Sequence, residues 1–122
     1  MRFIDSNVLA YAFYDNAHTE VCQEAIRTGG VIDTFNLVEA FFIIEKEVNR
    51  EHAQKAIRGL LKSALIIVDV TPDMIFETLK RTKQNMSIFD LLHYACAVTN
   101  NCTSVLSYDN DFDGCDIPRE EP

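Results

Sequence analysis

Carboxylates carry most of the chemistry this chain can offer. Asp5 closes an apolar run, Glu39 stands inside one, Asp90 opens another, and Asp109 follows a fourth in the acidic stretch Tyr108-Asp109-Asn110-Asp111-Phe112-Asp113. Each has a structural explanation by itself. Asp5-Ser6 suits a helix cap, Asn36-x-x-Glu39 and Ser87-x-x-Asp90 resemble capping boxes, and Asp109 is a turn former. Capping, however, does not require four separate elements to deliver acids to one place. Two carboxylates about 5 Å apart at an effective dielectric of about 20 repel by roughly 3 kcal/mol, so a cluster of four protonates or splays without a cation. An all-oxygen donor set favours Mg²⁺, with Mn²⁺ as substitute, over Zn²⁺.

The elements that must position these acids alternate. Arg2 to Asp5, Gly30 to Thr34, Leu65 to Val70 and Thr103 to Ser107 read as short strands. Helices are expected over Asn7 to Tyr14, Thr19 to Thr28, about Leu37 to Val48, Glu51 to Lys62, Pro72 to about Lys83, with Thr71 as cap, and from Ser87 to about Asn100. Strands separated by helices imply an α/β fold: three layers, α/β/α, around a mostly parallel sheet of four to five short strands. Functional groups of such sheets gather beyond the carboxyl ends of the strands. Asp5, Glu39 and Asp109 follow strands there, and the helix bearing Asp90 must start at that edge if its following strand is parallel. The last residues are expected to form only a turn and a short tail.

Composition bounds the reading. The 122 residues, 48% hydrophobic, fit one domain spanning 1–122 with a single core. No apolar run is long enough for a membrane span, and Met1-Arg2 leads into a strand rather than a signal peptide, so a cytoplasmic protein is expected. Cys22, Cys96, Cys102 and Cys115 show no CxxC spacing, which argues against zinc and for reduced thiols; a Cys102–Cys115 disulfide is the alternative in an oxidising cytosol. The net charge of −8 opposes a broad basic surface for nucleic acid, unless the charge is concentrated at a metal site or met by a basic partner.

Three segments resemble the PIN domain family, particularly the VapC-type toxins of toxin–antitoxin pairs. FIDSNVLAYAF at Phe3 to Phe13 is similar to the family's opening strand and helix. TFNLVEAFF at Thr34 to Phe42 matches the region of its Glu. SIFDLLHYACAV at Ser87 to Val98, with TSVLSYDNDFD at Thr103 to Asp113, resembles the segments carrying its third and fourth acids. The resemblance implies a Mg²⁺-dependent endoribonuclease with Asp5, Glu39, Asp90 and Asp109 as its acidic quartet. Asn7 and Ser107 match supporting polar positions, and Asp111 or Asp113 competes with Asp109 as fourth acid. It also implies a homodimer and, for a toxin, an antitoxin that occupies the site. The alternatives are a PIN-like module that binds RNA or protein without hydrolysis, and a housekeeping RNA-processing nuclease. A phosphoaspartyl phosphatase is disfavoured, because it needs a second acid where Asn7 stands.

Asp5 and Asp90 are expected as principal metal ligands, with Glu39 and Asp109 completing the shell. Lys80, Arg81 and Lys83 could meet RNA phosphates near the site, although a solvated helix end is the preferred reading. His93, on the same side as Asp90 at i+3, where the family usually has an apolar residue, is expected to pack in the core or behind the acids rather than transfer protons. His18 and His52 are expected at the surface. Phe41, Phe42, Ile43 and Ile44 cannot all face one core at helical spacing, so part of that helix is expected either as a dimer or antitoxin contact or as buried between elements.

Overall fold

The computed structural model describes residues 1–81 and 86–122; Lys83 lies outside the described residues. Five strands form one all-parallel sheet in the order β3-β2-β1-β4-β5. They are β1 (Arg2–Ile4), β2 (Val31–Asp33), β3 (Ile66–Val68), β4 (Ser104–Leu106) and β5 (Arg119–Glu120). Alternate residues feed opposite faces, as a pleated strand requires. Ile4, Ile32 and Leu106 join one core cluster, whereas Phe3, Val31 and Val105 join the other.

The first face is covered by α1 (Ser6–Tyr11), α2 (Thr19–Thr28), α3 (Thr34–Glu47) and α4 (Arg50–Leu61). The second is covered by α5 (Pro72–Leu79), α6 (Ile88–Thr99) and Phe112, which lies in the short 3₁₀ turn Asn110–Phe112. Helices on both faces bury the parallel sheet, as expected for α/β architecture.

Several boundaries differ from the sequence reading, for local reasons. Helix α3 starts at Thr34 because Asp33 and Asn36 form the capping box: Asn36 N–H donates to Asp33 Oδ1 at 2.9 Å and Asp33 N–H to Asn36 Oδ1 at 2.8 Å. Glu39 is therefore released from capping. Thr71 caps α5 as expected, through Met74 N–H, but the helix ends at Leu79. The expected tail is corrected to a fifth strand, tied to β4 by Val105 N–H to Pro118 O and Ser107 N–H to Glu120 O, each 2.9 Å. Cys102 is a free buried thiol, so the Cys102–Cys115 bridge does not form.

After β1 the chain turns toward β2 and β3, and after α6 it crosses to β4 on the other side of β1. The strand order thus reverses between β1 and β4, where a parallel sheet opens a crevice at its carboxyl edge. Gly30 permits the close approach of β2 to β1, since a Cβ there would lie 2.8 Å from Arg2 O and 3.0 Å from Ile4 Cδ1.

Candidate active site

Asp5 leaves β1 directly into α1, and its buried carboxylate is spoken for on both oxygens. Oδ1 accepts from Ser6 N–H at 2.8 Å and Oδ2 from the Ser107 hydroxyl at 2.7 Å. Ser107, just past β4, also accepts from Asp109 N–H at 2.9 Å. One hydroxyl therefore spans the crevice and ties the first acid to the backbone of the fourth. Asp109 in turn caps the 3₁₀ turn by accepting from Asp111 N–H at 2.9 Å.

Asp90 lies in the first turn of α6, where its N–H donates to the Ser87 hydroxyl at 3.1 Å. Its half-buried carboxyl is pushed up to about 6, first by burial and then by the negative charges of Asp5 and Asp109, with Glu39 adding to them and His93 opposing. The negative charges that act on Asp90 are thus those of the other three expected acids. Asp90, Asp109 and Asp111 offer oxygens that all lie within 4.8 Å of one another. Asp111, an exposed residue, thus belongs to the cluster, whereas Asp5, expected beside Asp90 as a principal ligand, is buried and not one of these three.

Glu39 shows an arrangement that sequence reasoning missed. Its Oε1 accepts from the Ser6 hydroxyl at 2.7 Å and also meets His93 Nε2. The other imidazole nitrogen, Nδ1, meets Asp33 Oδ2 at 2.7 Å, and Asn36 Nδ2 donates to the Ser6 hydroxyl at 2.8 Å. His93 and Asp33 are both fully buried. Burial alone would depress the imidazole, but hydrogen bonds and charge from Asp33 and Glu39 outweigh it and raise His93 to about 10. The histidine is an imidazolium held between two carboxylates. The same contacts keep Glu39 below its ordinary range despite burial, whereas burial leaves Asp5 above its own. His93 is thus packed behind the acids, in contact with Glu39, and the contacts that hold it are ionic. The available signal was Asp33-x-x-Asn36, which fixes where α3 begins and hence where Asp33 points.

Other expected residues lie around this centre. Asn7 is half-buried in the first turn of α1. Lys80 is exposed, 3.1 Å from Glu77 and over the Phe76 ring, which matches the solvated-helix-end reading. With Arg81 it lines a cavity of about 470 Å³ that includes Leu91, the neighbour of Asp90. Asp113 is engaged by Arg119 Nε at 2.8 Å, so Asp109 and Asp111 are the members of that stretch that face the other acids. His52 is half-buried and meets Phe13 O. On α3, Val38 and Phe42 are 62% and 65% exposed while Ile44 is buried, so this helix is not enclosed on all sides.

A PIN domain family model matches residues 2–117. The chain belongs to the PIN domain family. Among solved structures, Mycobacterium tuberculosis VapC20, described as a sarcin–ricin-loop-cleaving toxin, superposes with a TM-score of 0.85 over 100% of both chains at 15% identity. VapBC2 of Rickettsia felis, bound to a DNA fragment from its promoter, gives 0.71 over 98% of this chain and 97% of that one at 18% identity. A toxin–antitoxin complex from Klebsiella pneumoniae gives 0.70 over 95% and 93%, at 16% identity. No curated protein sequence matches. At these identities the structural likenesses establish a shared PIN fold, and among the described residues no helix is long and apolar enough to cross a membrane.

Proposed function

We propose that this PIN-domain protein is a divalent-metal-dependent endoribonuclease that acts as the toxin of a VapBC-type pair. The observation that carries the reading is the convergence of Asp5, Glu39, Asp90 and Asp109, with Asp111, at the reversal of strand order. The donor set fits a hard cation: it is all oxygen, and its central carboxyl is pushed up to about 6 by burial and then by the neighbouring acids. Asp90, Asp109 and Asp111 would hold Mg²⁺ directly, with Asp5 and Glu39 behind them; Mn²⁺ suits the same donors. When bound, the cation supplies charge stabilisation at a phosphodiester and an acidified water.

The chain's own residues set the rest. Ser107 fixes Asp5 relative to Asp109, and the Asp33–His93–Glu39 chain holds Glu39 ionised, facing Ser6. Asn7 is assigned a supporting position; Lys80, paired with Glu77, stays a solvated helix end, and Arg81, which lines the cavity that includes Leu91, is assigned to RNA phosphates. The apolar cavity of about 380 Å³ formed by Phe35, Val38, Phe42, Ile43 and Phe89 adjoins Glu39. It suits an antitoxin segment that reaches the site, and the rest of the exposed α3 face suits a homodimer contact. A cytoplasmic location accompanies this role.

Purified protein should cleave defined single-stranded or structured RNAs with Mg²⁺, lose the activity on chelation, and lose it in a folded Asp90→Asn variant. Full activity in that variant, or cleavage that survives chelation, refutes the assignment. Growth arrest on expression, relieved by a small protein encoded beside it, separates a toxin from a housekeeping nuclease.

A further inference from the structure

Three aromatic rings, one of them on the residue before Asp109, gather where α1, the start of α2 and the end of β4 meet. The His18 ring centroid lies 4.3 Å from that of Tyr108 and 5.6 Å from that of Tyr11, the second pair stacked at 21°. Tyr11 and Tyr108 are 5.9 Å apart. His18 is exposed while both tyrosines are half-buried, so the imidazole is the outermost ring of the group. The inner rings are anchored: the Tyr108 hydroxyl pairs with Cys22 Sγ at 3.8 Å, and Tyr11 meets Tyr14 edge-on at 6.0 Å.

The loop that carries His18 is equally fixed. Asn16 Nδ2 donates to Tyr11 O and Tyr14 O at 3.0 and 2.7 Å, and Asn16 Oδ1 accepts from His18 N–H at 2.7 Å. The Thr19 hydroxyl donates to Tyr14 O at 2.7 Å. An exposed ring is thus presented in one orientation, so little further ordering is needed when a ligand meets it.

Charge explains what such a surface is for. At a net charge of −8 the chain lacks the broad basic surface that supplies most nucleic-acid affinity elsewhere, so contacts that need no positive charge gain weight. Stacking needs no charge, and every base has a π-face. His18 caps α2, which runs back into the start of β2, so its ring stands at the carboxyl edge of the sheet, the edge where Tyr108 leads into Asp109. We infer that His18, backed by Tyr108 and Tyr11, is a stacking platform for an unpaired RNA base next to the phosphodiester at the acids. The inference rests on the ribonuclease reading and assigns that site a base-binding position.

The test measures binding separately from cleavage. In an Asp90→Asn background with Mg²⁺, anisotropy of a labelled single-stranded oligoribonucleotide reports affinity for the parent, His18→Ala and His18→Phe. His18→Ala should bind roughly 5- to 150-fold more weakly, the span expected for one stacked base, and His18→Phe should restore binding. Oligonucleotides made abasic at one position at a time should include one for which parent and His18→Ala bind alike. Equal binding of parent and His18→Ala to intact RNA overturns the platform while leaving the cleavage result untouched. Weakening by His18→Ala that no abasic position abolishes also overturns it, because the ring would then act only on loop structure. A parent that binds no RNA removes the platform whatever the cleavage assay gives.

Discussion

Replacing His93 tests the ionic core of the site most directly. In the native protein its imidazolium lies between Asp33, fully buried, and Glu39, whose side chain is 28% exposed. His93→Leu removes the cation and leaves a buried carboxylate facing an apolar group, a change that typically costs about 3–5 kcal/mol. For a chain of this size, at roughly 4 °C per kcal/mol, the midpoint should fall by about 10–20 °C. The pH dependence gives a sharper signature. The folded value of about 10 exceeds the unfolded value of about 6.5, so the stabilisation is complete below the lower value and disappears as pH rises through the upper one. His93→Gln keeps a hydrogen-bonding side chain but cannot titrate. Urea unfolding between about pH 6 and about pH 9.5 should therefore cost the wild type on the order of 3 kcal/mol more than His93→Gln. Parallel pH profiles for the two proteins, or His93→Leu within about 1 kcal/mol of wild type, would show that the histidine is not a buried cation.

Asp90 gives the opposite sign. Its folded value of about 6 lies above the ordinary 3.8, so ionising it opposes folding as pH rises through that interval, and metal-free protein should gain stability from this group on acidification. Mg²⁺ should raise the thermal midpoint at neutral pH and much less near pH 5, and Asp90→Asn should stabilise the metal-free protein while abolishing the Mg²⁺ response; calorimetry with and without chelator checks both. Ser107→Ala removes the hydroxyl shared by Asp5 and Asp109, with an expected stability cost of about 1–2 kcal/mol and a fall in RNA cleavage of roughly 10- to 100-fold, measured at saturating Mg²⁺. Gly30→Ala forces a methyl against Arg2 O at 2.8 Å and should cost about 1–3 kcal/mol in urea titrations, since the obstacle is strand backbone.

The sequence made the layered parallel fold legible because the apolar runs alternate with well-marked helix starts: Thr71-Pro72 and Ser87 both cap as read. It was a poorer guide where backbone pairing alone makes structure. Arg119–Glu120 is two charged residues after a proline, with no apolar pattern, and becomes a strand only because β4 offers it an edge. The acids followed the same division. Asp5, Glu39, Asp90 and Asp109 were recognisable from their places relative to strands. The Asp33–His93–Glu39 chain was not, because Asp33 and His93 are separated by 60 residues and meet only through the packing of α6 on the sheet. Asp111 was ambiguous among three nearby acids until Arg119 was found to engage Asp113.

The Ser107 bridge also fixes when the site can exist. The hydroxyl partner of Asp5 is 102 positions further along, just past β4, and β4 is bordered in turn by β5. Arg119 further clasps Ser107 O at 3.1 Å while gripping Asp113 and Glu121. A growing chain still shorter than this span holds an isolated aspartate and no metal-binding constellation. The site is therefore assembled only once β4 and β5 have both been synthesised, and substitutions at Arg119 act on the same clasp.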